Sequence, residues 1–150
     1  MSQACPISFQ TIDENQVRIQ ATVITALSVL FLTTGWSAVM LFLAYDFAVR
    51  IAALPKLSPV YRISKSMVEM CKIAPAKADA APKLFAARIG LAFSIVSYVL
   101  YAGGFETTAL YLVAVLALCA FFEAALNFCV GCWFYSALNR INLKIVSLKE

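Results

Sequence analysis

Histidine is missing from the 150-residue chain. Its absence excludes a His-ligated haem, a His-based zinc site and a Ser-His-Asp triad, and removes the usual proton carrier at neutral pH. Charge is scarce as well: Asp, Glu, Lys and Arg together make up 13%, about half the share of a soluble domain. Neither the Gly-rich dinucleotide fingerprint nor the phosphate-binding loop occurs. What remains is apolar, 63% of the residues, with a mean hydropathy of +0.85. A soluble domain of this size keeps about a third of its unfolded surface exposed. It cannot hide so much apolar surface, so the expected solvent is lipid. The length supports one membrane domain over 1–150. A net charge of +4 then reports orientation and lipid headgroups, and no nucleic-acid partner is expected.

The pattern predicts an all-α integral membrane protein with four spans in two antiparallel hairpins. Thr11-Ile12-Asp13-Glu14 reads as a capping box with Thr11 at the N-cap. An apolar run follows, and the first span covers about 12–34, with Gly35 as its stop. About 23 residues at about 1.5 Å each reach about 34 Å, enough to cross a bilayer. The start lacks a basic leader and its apolar stretch is too long for a cleaved signal peptide. The second span, about 36–54, holds Asp46 and Arg50. Prolines at 55, 59, 75 and 82 punctuate the next stretch. Within it Ser58-Pro59 opens a short amphipathic helix, about 58–72, whose polar residues Arg62, Lys65, Glu69 and Lys72 share one side. Such a helix suits the membrane interface. The third span runs about 82–102 to the Gly103-Gly104 turn, and the fourth about 106–128 or longer, with Gly131 as a break or bend.

The 55–83 connection holds six Lys or Arg, the C-terminal tail adds Arg140, Lys144 and Lys149, and the two opposite turns hold none. By the positive-inside rule, both termini and the long connection are expected on the cytoplasmic side. Trp36, Tyr101 and Phe105 fit an outer aromatic belt, and Tyr61, Trp133 and Tyr135 an inner one.

Cys5-Pro6, Asp46-x-x-x-Arg50, Leu57-Ser58-Pro59, Ala80-Ala81-Pro82-Lys83 leading to Ala87-Arg88-Ile89-Gly90, and Phe128-Cys129-Val130-Gly131-Cys132 follow in order. With these motifs the chain resembles a bacterial four-helix membrane family of unknown function, over about 5–140. The resemblance implies a place in the bacterial inner membrane. Some relatives are linked to thioredoxin-like or sulfur-transfer proteins, which implies thiol chemistry and a partner of that kind.

Cys129 and Cys132 form Cys-x-x-Cys, a spacing that brings two sulfurs close enough for a disulfide or a shared soft metal. Cys5 lies on the same expected face. Three thiols there suit disulfide exchange, sulfur relay or soft-metal binding, with Cys5, Cys129 and Cys132 as alternative ligands. The opposing reading makes them small fillers in a reducing compartment. Cys71 and Cys119 are read as packing residues. Asp46, Arg50, Arg88 and Glu123 are expected as an intramembrane charge cluster, because each alone costs about 2.5–3.5 kcal/mol on insertion scales. That cluster serves either an anion or proton site beside the thiols or helix register. No cofactor is evident. Two functions follow: a thiol-active membrane protein, or a non-catalytic subunit of a homo-oligomer or larger membrane complex. Solute transport is a weaker third, since four spans alone form a poor conduit.

Overall fold

A computed structural model describes residues 11–52, 54–72, 74 and 76–147. Six α-helices dominate: α1 (Glu14–Thr34), α2 (Ala38–Ile51), α3 (Pro59–Met70), α4 (Ala80–Ala102), α5 (Glu106–Leu126) and α6 (Val130–Ser147). Two three-residue strands, β1 (Thr11–Asp13) and β2 (Lys77–Asp79), pair antiparallel with Thr11 opposite Asp79. The all-helical class therefore holds, with one small ladder tying the start of α1 to the start of α4.

Helix ends follow local chemistry. The α1 N-cap is Asp13, whose carboxylate accepts the Asn15 N–H at 3.1 Å and the Ala76 N–H at 3.3 Å. Thr11 is not the cap, because the ladder takes it. Gly35 closes α1 in the left-handed region, φ 67°, and donates its N–H to Phe31 at 2.7 Å. Ser58 caps α3 by accepting the Tyr61 N–H at 3.0 Å.

Among the described residues three helices, not four, are long and apolar enough to cross a membrane: α1, α4 and α5. The second expected span is cut at both ends. Residues up to Ser37 belong to the turn, and α2 stops at Ile51. Its 14 residues reach about 21 Å, short of the roughly 30 Å hydrocarbon core. The fourth expected span also ends early. Asn127 adopts φ 55° and terminates α5, and α6 starts as a separate helix at Val130.

α1, α2, α4 and α5 form a closed ring, each packed on the next. Ile24, Phe31, Met40, Leu43 and Val113 fill its centre. Gly90 lets α2 approach α4, since a Cβ there would lie 2.6 Å from the Phe47 ring. Many large apolar side chains on the outside, such as Val99, Tyr111, Leu118 and Phe121, stay exposed, as a bilayer requires. α3 lies against α1. Its Val60 and Ser64 are buried, while Ile63, Met67 and Met70 form an exposed apolar stripe.

Candidate functional site

The polar groups gather where α1 and α4 begin and α2 and α5 end. Asp46 is almost wholly buried. Its carboxylate accepts the Ser58 hydroxyl at 2.5 Å and the Val60 N–H at 3.3 Å, so it sits at the N-terminus of α3, where a negative charge is favoured. Arg50, one turn along α2, pairs with Asp46. Its other arm donates to the Gln20 side-chain oxygen at 2.7 Å, and Gln20 donates to the Ser64 hydroxyl at 3.2 Å. The guanidinium carbon also lies 5.5 Å from the Phe47 ring centre. Its Nε is buried and has no hydrogen-bond partner.

Glu123 on α5 meets Lys83 on α4, Nζ to Oε1 3.8 Å, both largely buried. Arg50 and Glu123 line one cavity of about 1130 Å³ between α1, α2, α4, α5 and α6. Lys83, Gln20, Cys119 and Cys129 share its wall, and Ile24, Phe93, Leu116 and Phe134 make most of the rest apolar. Arg88 does not join the cluster. It is exposed, because it stands about 140° around α4 from Lys83 at 100° per residue, whereas Ala87 and Gly90 share the Lys83 face. The long Arg stem lets its head reach the interface instead.

Cys129 holds the position just before α6. Its sulfur accepts the Cys132 N–H at 3.3 Å, and its carbonyl accepts the Trp133 N–H at 3.0 Å. It is thus a sulfur N-cap on a helix whose positive dipole end faces it. The hydrogen bond from the Cys132 thiol pulls the Cys129 thiol below its ordinary value, helped by the Cys132 backbone N–H and by Lys83, against burial and the Glu123 charge. The same bond, with burial, pushes the Cys132 thiol well above its ordinary value.

Gly131 is a contact point and not a break. A Cβ there would lie 2.7 Å from the Ala86 Cβ, so Gly131 lets the first turn of α6 press on α4 and brings Cys129 to the cavity wall. Cys5 lies outside the described residues. Cys71 is exposed just past α3, and Cys119 is half-buried on the cavity wall. Among the described residues no group of three or more His, Cys, Asp or Glu side chains could hold a metal ion. The sequence reading missed Gln20 and the Lys83–Glu123 pair. Gln16 and Gln20, four apart inside an apolar helix, were the available signal for a polar inner face.

The chain belongs to the family described as a domain of unknown function, DUF4395, which matches residues 12–140. No curated protein and no solved structure matches the chain.

Proposed function

We propose that this family member is a membrane dithiol protein that exchanges disulfides through Cys129 and Cys132. The observation that carries this reading is Cys129 as the sulfur N-cap of α6, holding the Cys132 N–H. In the exchange, the Cys129 thiolate attacks a sulfur of a protein disulfide. A mixed disulfide forms and the partner's other sulfur leaves as a thiolate. Cys132 gives up its proton, Glu123 being the carboxylate on the same cavity wall as Cys129, and attacks the Cys129 sulfur. The partner leaves as a dithiol and a Cys129–Cys132 disulfide remains. The reverse sequence oxidises a partner dithiol. A thioredoxin-like protein is the fitting partner, because its exposed dithiol reaches a site at the membrane edge.

In this reading the protein sits in a bacterial inner membrane with its termini and thiol site cytoplasmic. α2 is the short fourth membrane segment, closing the ring without crossing the full thickness, and α3 lies in the interface on its Ile63, Met67 and Met70 stripe. Brief alkylation at neutral pH, read by mass spectrometry with and without reductant, tests the function. Cys129 should label fastest, and mild oxidation should protect Cys129 and Cys132 together. Slow and equal labelling of all thiols, with no reductant-sensitive pair, would favour a non-catalytic subunit.

A further inference from the structure

α6 keeps an apolar stripe that no described residue covers. The helix is seated on α4 by its first turns. A Cβ on Gly131 would touch Ala86, and the Tyr135 ring lies 5.5 Å from that of Phe85. At about 100° per residue, Gly131 and Tyr135 share one side of the helix. Next to that side, within about 60° of one another, run Phe134, Leu138 and Ile141. All three are exposed. Cys132, Ser136 and Arg140 occupy the opposite arc, where Ser136 and Arg140 are exposed. Trp133, 61% exposed, stands on the border between the two arcs. An apolar stripe with polar groups opposite is the form of a helix lying along a membrane surface.

Composition and depth agree with that form. α6 has 18 residues but is not among the helices apolar enough to cross. It is seated at a shallow level, because Ala86 precedes Arg88 by about 3 Å along α4. Arg88 is exposed, and an exposed charge on a membrane helix reaches for the interface. Charge and continuity name what covers the stripe. Arg140 adds a positive charge to the end of the molecule that also exposes Lys56, Arg62 and Lys65, which suits acidic phospholipid headgroups. The stripe adjoins the side of α6 that touches α4, so it extends the lipid-facing surface of the bundle. We infer that α6 lies in the interfacial layer of the bilayer, with Phe134, Leu138 and Ile141 among acyl chains and Arg140 among acidic headgroups. Cys132, about 150° from the middle of the stripe, is then left on the water side. That consequence joins the thiol reading, since a soluble partner meets the dithiol from water. The placement of α6 does not depend on it.

The chain has two tryptophans, and Trp36 lies beside the Gly35 turn at the other end, so Trp36→Phe leaves Trp133 as the sole reporter. This full-length variant is placed in vesicles of phosphatidylcholine and phosphatidylglycerol that carry spin labels at the headgroup, high on the acyl chain or deep in it. The two shallow labels should quench Trp133 at least about twice as strongly as the deep one, as for an interfacial aromatic. A headgroup label on phosphatidylglycerol should quench more than the same label on phosphatidylcholine, and Arg140→Gln should remove the difference. Leu138→Glu with Ile141→Glu should cut the shallow quenching by about half or more, by breaking the stripe. Trp36, followed in a Trp133→Phe chain with the same two Glu, should keep its own profile and so report an intact ring. Strongest quenching by the deep label would make α6 a crossing segment, and no quenching by any label would put its stripe in water or against a second copy. Either result overturns the inference, as does an unchanged Trp133 profile in the double Glu variant. Equal quenching from the two headgroups overturns the acidic-lipid contact at Arg140. If the double Glu variant does not fold, the profile of the Trp36→Phe chain alone decides.

Discussion

A thiol one residue before a helix differs from a thiol one residue after one, and Cys129 turns on that distinction. Continued through Leu138, as the apolar run invites, α5 would have held both cysteines inside one helix, with no free N–H groups for sulfur. Because Asn127 stops α5, Cys129 instead faces the unpaired amides of a new helix. Alkylation depends on the thiolate fraction. The pKa of Cys129 is lowered, chiefly by the Cys132 thiol, so its labelling rate should level off at lower pH than that of Cys132. Cys132, raised chiefly by the same bond, should still be climbing where Cys129 has levelled. Replacing Cys132 with Ala removes the side-chain donor and should move the Cys129 profile upward. Identical profiles for Cys129 and Cys132 would contradict the cap. A second residue-scale test concerns Asp46, which is buried to 1% exposure. Arg50→Leu leaves that carboxylate without its cation and should cost about 3–5 kcal/mol in a denaturation series in detergent. Asp46→Leu added to it should recover part of the loss. The composition showed that these charges need partners, and Asp46-x-x-x-Arg50 was readable as a pair. Which face Arg88 takes was not, because membrane depth says nothing about rotation around the helix.

At the scale of elements, turn chemistry was the most legible feature and helix length the least. Gly35, Ser58-Pro59 and Gly103-Gly104 all act where the sequence places them, since each supplies a conformation or acceptor that few other residues can. The N-cap of α1 shifted from Thr11 to Asp13 because a tertiary contact, the ladder to Lys77–Asp79, claimed Thr11. No local rule sees a partner 68 residues away. α2 was read too long for a related reason: hydropathy continues through Leu54, but the chain must turn back so that Ser58 reaches Asp46. Gly131 was noticed and misread. Its value lies in the missing Cβ against Ala86, which only packing reveals. Gly131→Val should push α6 away from α4 and pull Cys129 off the cavity wall and out of its setting near Lys83. Away from Lys83 the Cys129 thiolate loses support, and alkylation follows the thiolate fraction, so Cys129 alkylation should slow. Ala86→Gly in the same chain should restore part of the rate by removing the opposing methyl. A wild-type rate in Gly131→Val would mean that α6 is not positioned by this contact.

Seen as a whole, the molecule has two unlike ends. At one, the Gly35 and Gly103-Gly104 turns lie together, for Tyr101 packs edge-on against Phe31 at 5.3 Å and its hydroxyl lies beside Gly35. Neither turn carries Lys or Arg. At the other lie α3, the ladder, the Lys83–Glu123 pair, the sulfur cap and the cavity, together with Lys56, Arg62, Lys65, Lys72 and Lys77. The charge difference between the ends sets orientation in an energised membrane, and basic residues near anionic headgroups add about 1 kcal/mol each. The basic end should therefore face the cytoplasm. Thr107→Cys, exposed beside the second turn, should react in intact cells with a maleimide that cannot cross the membrane. Lys65→Cys, exposed on α3, should react only after permeabilisation; a chain with Cys71 replaced by Ser removes the nearest background. The opposite pattern would put Cys129 and Cys132 on the outer side, and the exchange partner would then have to be an exported protein. Orientation thus decides which compartment the dithiol serves. The Thr107→Cys and Lys65→Cys pair measures it without assuming any chemistry at the site.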